Sequence, residues 1–386
     1  MSKKTMLLVV AFAILVIFGM FALVQKNPDG SPSNSGITLL PSRPERNFAL
    51  ADEKWNFKFP RDLGAHPQFQ TEWWYYTGNL FDQNGRQFGY QLTFFRRAIN
   101  PEPLTERTSN WATNQVYLAH FTITDVLQKQ HYQKEIISRG ALGLAGVQLN
   151  PDFQVNLFDW TIRQIGEYQY ELKAESEGFS IQLMLTDQKG IILNGDQGLS
   201  KKGPEIGNAS YYFSQTRLDS TGIVTIADQA YSVTGNSWMD HEFGSSTLGP
   251  SQIGWDWFSL QMDNNFELML FQLRENDGSI SSTSSGTLVD SDSSTIRLGN
   301  EDFEIQVLET WKTDDGFTYP SQWRISSKTE KFDLTVTPVL ADQENRFFFR
   351  YWEGSVRFEG LYQGQHVTGY GYVELTGYAQ SMQGVF

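Results

Sequence analysis

The sequence predicts an all-β fold: two antiparallel β-barrel domains preceded by a single N-terminal transmembrane helix. Three observations predict it. Aromatic residues make up 14% of the chain and glycines number 33, the residue types that fill pleated strands and the turns between them. After the first residues, apolar positions alternate or come in short blocks, with no sustained helical period. One uninterrupted apolar stretch, residues 6–24, stands apart at the start.

That stretch of nineteen uncharged residues follows Lys3 and Lys4. As a helix it is long enough to cross a bilayer core of about 30 Å. The lysines should stay in the cytoplasm and send the rest of the chain outward. The end of the stretch, Gly19-Met20-Phe21-Ala22-Leu23-Val24, offers no clean small-x-small pair for a signal peptidase. Residues 1–26 therefore read as an uncleaved anchor in preference to a cleaved signal. The expected location is the cytoplasmic membrane, single-pass with an extracytoplasmic body, or secreted if cleavage occurs. Residues 27–47 are rich in Pro, Ser, Asn and Gly and read as a flexible linker.

Strands follow. Residues 75–81 and 87–95 flank Asp82-Gln83-Asn84-Gly85, a hairpin turn with glycine where positive φ is needed. Further strands are expected at 117–125, 153–162, 168–174, 180–185, 210–218 and 229–233. A second series is expected at 255–262, 266–273, 286–290, 303–311, 322–326, 332–338, 351–359 and 366–378. Serine-rich residues 279–294 read as an exposed loop around one short strand, and His131, beside Lys129 and Lys134, reads as part of a solvated turn. The hairpin at 76–92 resembles a second at 352–375. Two barrel domains, 48–244 and 245–386, accommodate this strand count while managing sheet edges.

Composition narrows the functions. Net charge is −14, and residues 1–26 carry lysines and no acid, so the body is more acidic still. An acidic body repels phosphate backbones, so no nucleic-acid partner is expected. The absence of cysteine excludes disulfides, thiolate metal sites and a cysteine nucleophile. There is no P-loop, dinucleotide fingerprint or nucleophile elbow, and no cofactor is implied. The five histidines lack short metal-site spacing; a metal would have to gather His66, His120 or His241 with Asp240 or Glu72, and none is expected.

Two tryptophan-rich segments carry the candidate chemistry, residues 66–80 and 236–244. In an extended strand Trp238, Asp240 and Glu242 share one face, opposite Met239, His241 and Phe243. Likewise Glu72, Trp74 and Tyr76 lie opposite Trp73 and Tyr75, and Tyr370, Tyr372 and Glu374 share a face. A carboxyl walled by rings loses solvation and stays protonated at higher pH, which makes it a candidate general acid. The alternative is that these acids bond to buried donors and pin strands together. Asp240, in Asp-His-Glu beside Trp238, is the favoured acid.

Taken together, His66 with Glu72-Trp73-Trp74-Tyr75, the 209–214 segment Ala-Ser-Tyr-Tyr-Phe-Ser, Asn236 to Gly244, Gly254 to Phe258, and Trp352-Glu353-Gly354 with the Glu374 segment resemble the AttH/carotenoid 1,2-hydratase-like family of two-domain, lipocalin-like proteins. The resemblance implies lipocalin-like barrels and an apolar, isoprenoid- or lipid-like ligand. One branch adds water to a terminal carbon–carbon double bond by acid catalysis without a cofactor. The resemblance puts Asp240 at the position of the acid. With that acid, Tyr211 and His241 are expected as supporting groups, and Trp238, Trp74, Tyr76, Phe213, Trp255, Glu72, His66 and Glu374 as the residues around the ligand. This chain departs from the hydratases where they carry a His-x-Trp pair, its counterparts being Tyr211 and Phe213. The second functional reading is a non-catalytic carrier of a hydrophobic ligand at the membrane, associated with an ABC-type export permease.

Overall fold

Two antiparallel sheets, each curled into a nearly closed barrel, make up the protein in its computed structural model, which describes residues 48–101, 109–246 and 248–384. The 6–24 stretch, the helix expected there and the linker lie outside the described residues. Among those residues no helix is long and apolar enough to cross a membrane.

The first sheet has thirteen strands between Thr71 and Gly244; the second has ten between Gln252 and Leu375. At the centre of the first sheet, Thr71–Asp82 lies between Gln87–Ala98 and Gln229–Gly244. The last of these pairs in turn with Ala209–Ile226. In the second sheet, Gln365–Leu375 lies between Gln252–Met262 and Arg350–Tyr362.

The Asp82–Gly85 turn forms as expected: Gly85 adopts φ +80°, and the Asp82 carboxylate accepts from the Asn84 and Arg86 amides at 2.8 and 2.9 Å. Elsewhere the structure corrects the strand map. The single strand expected at 153–162 is a hairpin, Gln154–Leu157 and Trp160–Gly166, turned at Phe158 with φ +51°. His131 lies in the strand Gln130–Arg139, not on a solvated turn. Its ring contacts Thr124 Oγ1 at 2.9 Å and Asn345 Oδ1 at 3.1 Å, and burial lowers its pKa to about 4. The serine-rich segment is not all exposed either, because its strand Ser285–Val289 is buried throughout. Small hydroxyl side chains fit a covered strand as readily as a loop, so composition misleads there.

The period of two along each strand divides the core into three parts. Trp74, Tyr76, Leu80, Phe213 and Met239 fill the first barrel. Phe258, Leu260, Trp323, Trp352 and Val373 fill the second. Between the barrels, outward-facing Tyr75, Tyr212, Trp238, Trp257, Phe271 and Tyr372 form a third aromatic cluster. The two similar hairpins meet there: Asn79 Nδ2 donates to Gly371 O at 3.0 Å, and Ser355 Oγ donates to Asn79 Oδ1.

Gly89 sits at this contact, where an added Cβ would come within 2.7 Å of Ser355 Cβ. Such overpacking costs about 1–3 kcal/mol. Gly89→Ala should therefore lower the unfolding midpoint in a denaturant titration; an unchanged midpoint would show that the two hairpins do not pack closely.

Candidate functional site

The strands that meet between the barrels bring alternate side chains from both sheets to one cavity. In the register of the first sheet, Asp240 lies opposite Tyr75 on one neighbour and Ser214 on the other. Tyr75, Tyr212 and Asp240 thus point together toward the second sheet, which presents Trp255, Trp257, Phe271, Leu273 and Glu374. Trp73, Phe95, Lys202 and Glu242 complete the wall of a cavity of about 770 Å³, its open mouth included.

Asp240 is buried and held by three donors. Trp238 Nε1 reaches Oδ1 at 2.7 Å, Ser214 Oγ reaches Oδ1 at 2.5 Å, and Tyr212 Oη reaches Oδ2 at 2.6 Å. Burial pushes its carboxyl up to about 7; the three donors oppose that rise, and the nearby charge of Glu242 adds to it. The donors are anchored in turn. Trp257 Nε1 donates to the Tyr212 hydroxyl at 3.0 Å. Asn194 Nδ2 donates to Ser214 Oγ, and Thr287 donates to Asn194, both at 2.8 Å.

Two more carboxyls belong to the second sheet. Glu374 accepts from Trp255 Nε1 at 2.7 Å, and its carboxyl is also raised to about 7. Burial is the main cause; the Trp255 bond opposes it, and Glu242 and Asp240 add to it. Glu353, fully buried behind Tyr75, accepts the Tyr75 hydroxyl at 2.5 Å and is raised well above the usual carboxyl range by burial and by Glu374. Glu242 is paired instead: Lys202 Nζ lies 2.9 Å away, and Ser210 donates to it. The Lys202 ammonium also sits 4.2 Å from the centre of the Phe271 ring.

Of the residues expected at the site, the structure brings Asp240, Trp238, Trp255 and Glu374 together. It places Tyr211, His241, Phe213, Trp74, Tyr76, Glu72 and His66 on the opposite face, inside or at the end of the first barrel. This corrects the expectation that Tyr211 and His241 support Asp240. Ser214, not Phe213, is the residue opposite Asp240, and a shift of one residue along a strand changes its face. Tyr211 instead donates its hydroxyl to Glu53 O at 2.7 Å. Tyr212, Ser214, Trp257, Lys202 and Glu353 are the residues that sequence reasoning missed. All but Lys202 lie in the segments that carry the family resemblance.

The opposite face has its own polar cluster. Glu72 Oε1 lies 2.7 Å from His66 Nδ1 and 2.8 Å from His241 Nε2. Glu72 Oε2 accepts from Arg96 Nε at 2.7 Å and from the His66 amide at 2.9 Å. His66, Glu72 and His241 present ligand atoms within 4.8 Å of one another, a donor set that could in principle hold a metal ion. Both Glu72 oxygens are already engaged, however, and a divalent ion would stand beside the fixed charge of Arg96. The donors fit an ion-pair network better than a metal site.

Two curled antiparallel sheets with a carboxyl- and indole-walled cavity between them define a lipocalin-like, two-barrel protein. The chain belongs to the AttH-like family, whose profile matches residues 50–378. It is similar to the crystal structure of a Nitrosomonas europaea protein assigned to AttH, at 32% identity and a TM-score of 0.75, covering 83% of this chain and 97% of that one. It shares its fold with kievitone hydratase from Nectria haematococca at 14% identity and a TM-score of 0.66, over 87% of this chain and 97% of that one. No curated protein matches the sequence.

Proposed function

We propose that the protein is a cofactor-independent hydratase that takes the alkene end of a neutral, isoprenoid-like molecule into the cavity between its barrels and adds water to it, with Asp240 as general acid. The observation that carries this reading is a buried, protonatable Asp240 on the wall of an aromatic cavity, with three donors aimed at its oxygens.

The chemistry follows from that arrangement. A carboxyl raised to about 7 still holds its proton near neutral pH and can give it to an alkene carbon. The three donors then stabilise the carboxylate left behind without needing to reorganise. Rings of Trp73, Trp255 and Trp257 line the cavity and offer π faces to the developing carbocation.

The test is incubation of the full-length protein in detergent micelles with lycopene, an acyclic carotenoid ending in trisubstituted alkenes. A product one water heavier is expected. Lycopene recovered unchanged from a tight complex would instead support a carrier at the outer face of the cytoplasmic membrane, working with an export permease. The apolar stretch at residues 6–24 favours that second reading.

A further inference from the structure

We infer that Glu374 is the group that takes the proton from the attacking water, a second acid–base residue on the wall facing Asp240. This inference rests on the hydratase reading. Glu374 and Glu353 lie directly opposite each other on the antiparallel strands Gln365–Leu375 and Arg350–Tyr362. Like charges so placed repel, so the pair does not readily carry two negative charges. Glu353 is fully buried, one oxygen accepting from Tyr75 and the other, Oε2, without a partner among the described residues. An ionised carboxylate there would leave a charge uncompensated, so Glu353 is the protonated member. Glu374 is only partly buried and lines the cavity, where it accepts an indole bond from Trp255. It is therefore the carboxyl of this wall that is free to titrate against the cavity contents.

Its surroundings make this a working pair. Across the cavity stand Asp240 and the Glu242–Lys202 ion pair; Tyr75 and Tyr351 feel the Glu374 charge, and Tyr372 that of Glu353. The Asp240 charge raises the pH at which Glu374 loses its proton, so the two carboxyls that face this cavity do not readily carry two negative charges at once.

The step balances. The alkene π pair forms a C–H bond with the Asp240 proton, leaving a cation at the more substituted carbon and Asp240 as carboxylate. A water lone pair forms the C–O bond, and Glu374 takes the proton that the oxygen sheds. Alkene and water become alcohol, and the proton returns from Glu374 to Asp240 through solvent at the cavity mouth.

Lycopene incubated in D₂O separates the two roles. Wild-type protein should both hydrate lycopene and exchange deuterium into recovered alkene. Glu374→Gln should slow hydration about 10²–10⁴-fold yet still exchange deuterium, because Asp240 still protonates the alkene and the cation reverts. It should also lose the rise of kcat/KM with pH near neutrality. Hydration by Glu374→Gln at the wild-type rate, or loss of exchange together with hydration, overturns the assignment. Wild-type protein showing neither reaction overturns the hydratase reading itself, a distinct result.

Discussion

Arg96→Met is expected to lower the free energy of unfolding by about 3–5 kcal/mol, the cost of breaking a buried ion pair from one side. Arg96 is buried, and besides Glu72 its guanidinium reaches His66 O and Phe69 O at 2.9 Å and Gln115 Oε1 at 2.7 Å. Methionine fills much of the volume but leaves the Glu72 carboxylate and two buried carbonyls without their donor. The loss should depend on pH. Burial alone would raise the Glu72 carboxyl, but Arg96, His66 and His241 together hold it well below its ordinary value of 4.5. Its contribution is therefore present above about pH 4.5 and is lost as pH falls through the folded value. The deficit of the variant should shrink in acid, where a protonated Glu72 no longer needs the guanidinium. His66 has the opposite sign. Burial would lower it, but Glu72 and Asp62 raise it above 6.5, so its contribution is complete below pH 6.5 and fades at higher pH. Urea titrations across pH 3–9 check both slopes. A loss under 1 kcal/mol at pH 6 would show that the cluster is not a buried, coupled network.

Asp240→Asn should stabilise the protein at high pH while slowing the proposed hydration. The folded state raises the Asp240 carboxyl from 3.8 to about 7, so folding holds a proton that the unfolded chain releases. Stability of the wild type therefore falls as pH rises between those values and levels off above about 7. Asparagine never ionises, so the variant escapes that loss, a difference on the order of 2–4 kcal/mol at pH 8 that vanishes below pH 4. Its amide has nearly the shape of the protonated acid, and the Tyr212 and Ser214 hydroxyls can turn to accept where they now donate. A variant less stable than wild type at pH 8 would mean that Asp240 is an ionised structural anchor. The gain is the expected counterpart of a site kept chemically ready at the expense of stability.

The alternation of apolar and polar residues and the Asp82–Gly85 turn made the fold legible, because both are local properties of the chain. Asp240 was legible as the candidate acid for the same reason: Trp238, Asp240 and Glu242 share a face in any extended strand. Its partners were not. Choosing Tyr211 and Phe213 over Tyr212 and Ser214 is an error of one residue, and the strand pairing that settles it joins segments distant in sequence. Sequence also could not show that the cavity lies between the barrels. Trp74 and Tyr76 look as suitable for a pocket as Trp73 and Tyr75, and only the second sheet decides which face it covers. Glu72 and His66 drew notice as chemical groups, yet the geometry gives them an ion-pair role beside Arg96.

The central claim is that Asp240, in the cavity between the barrels, protonates an alkene. Conversion of lycopene by full-length Asp240→Asn and wild type, compared at equal folded fraction, tests it most directly. Wild type should form the product one water heavier, and the variant should form it about 10²–10⁴-fold more slowly with no deuterium exchange. Conversion at the same rate by both proteins would contradict the claim.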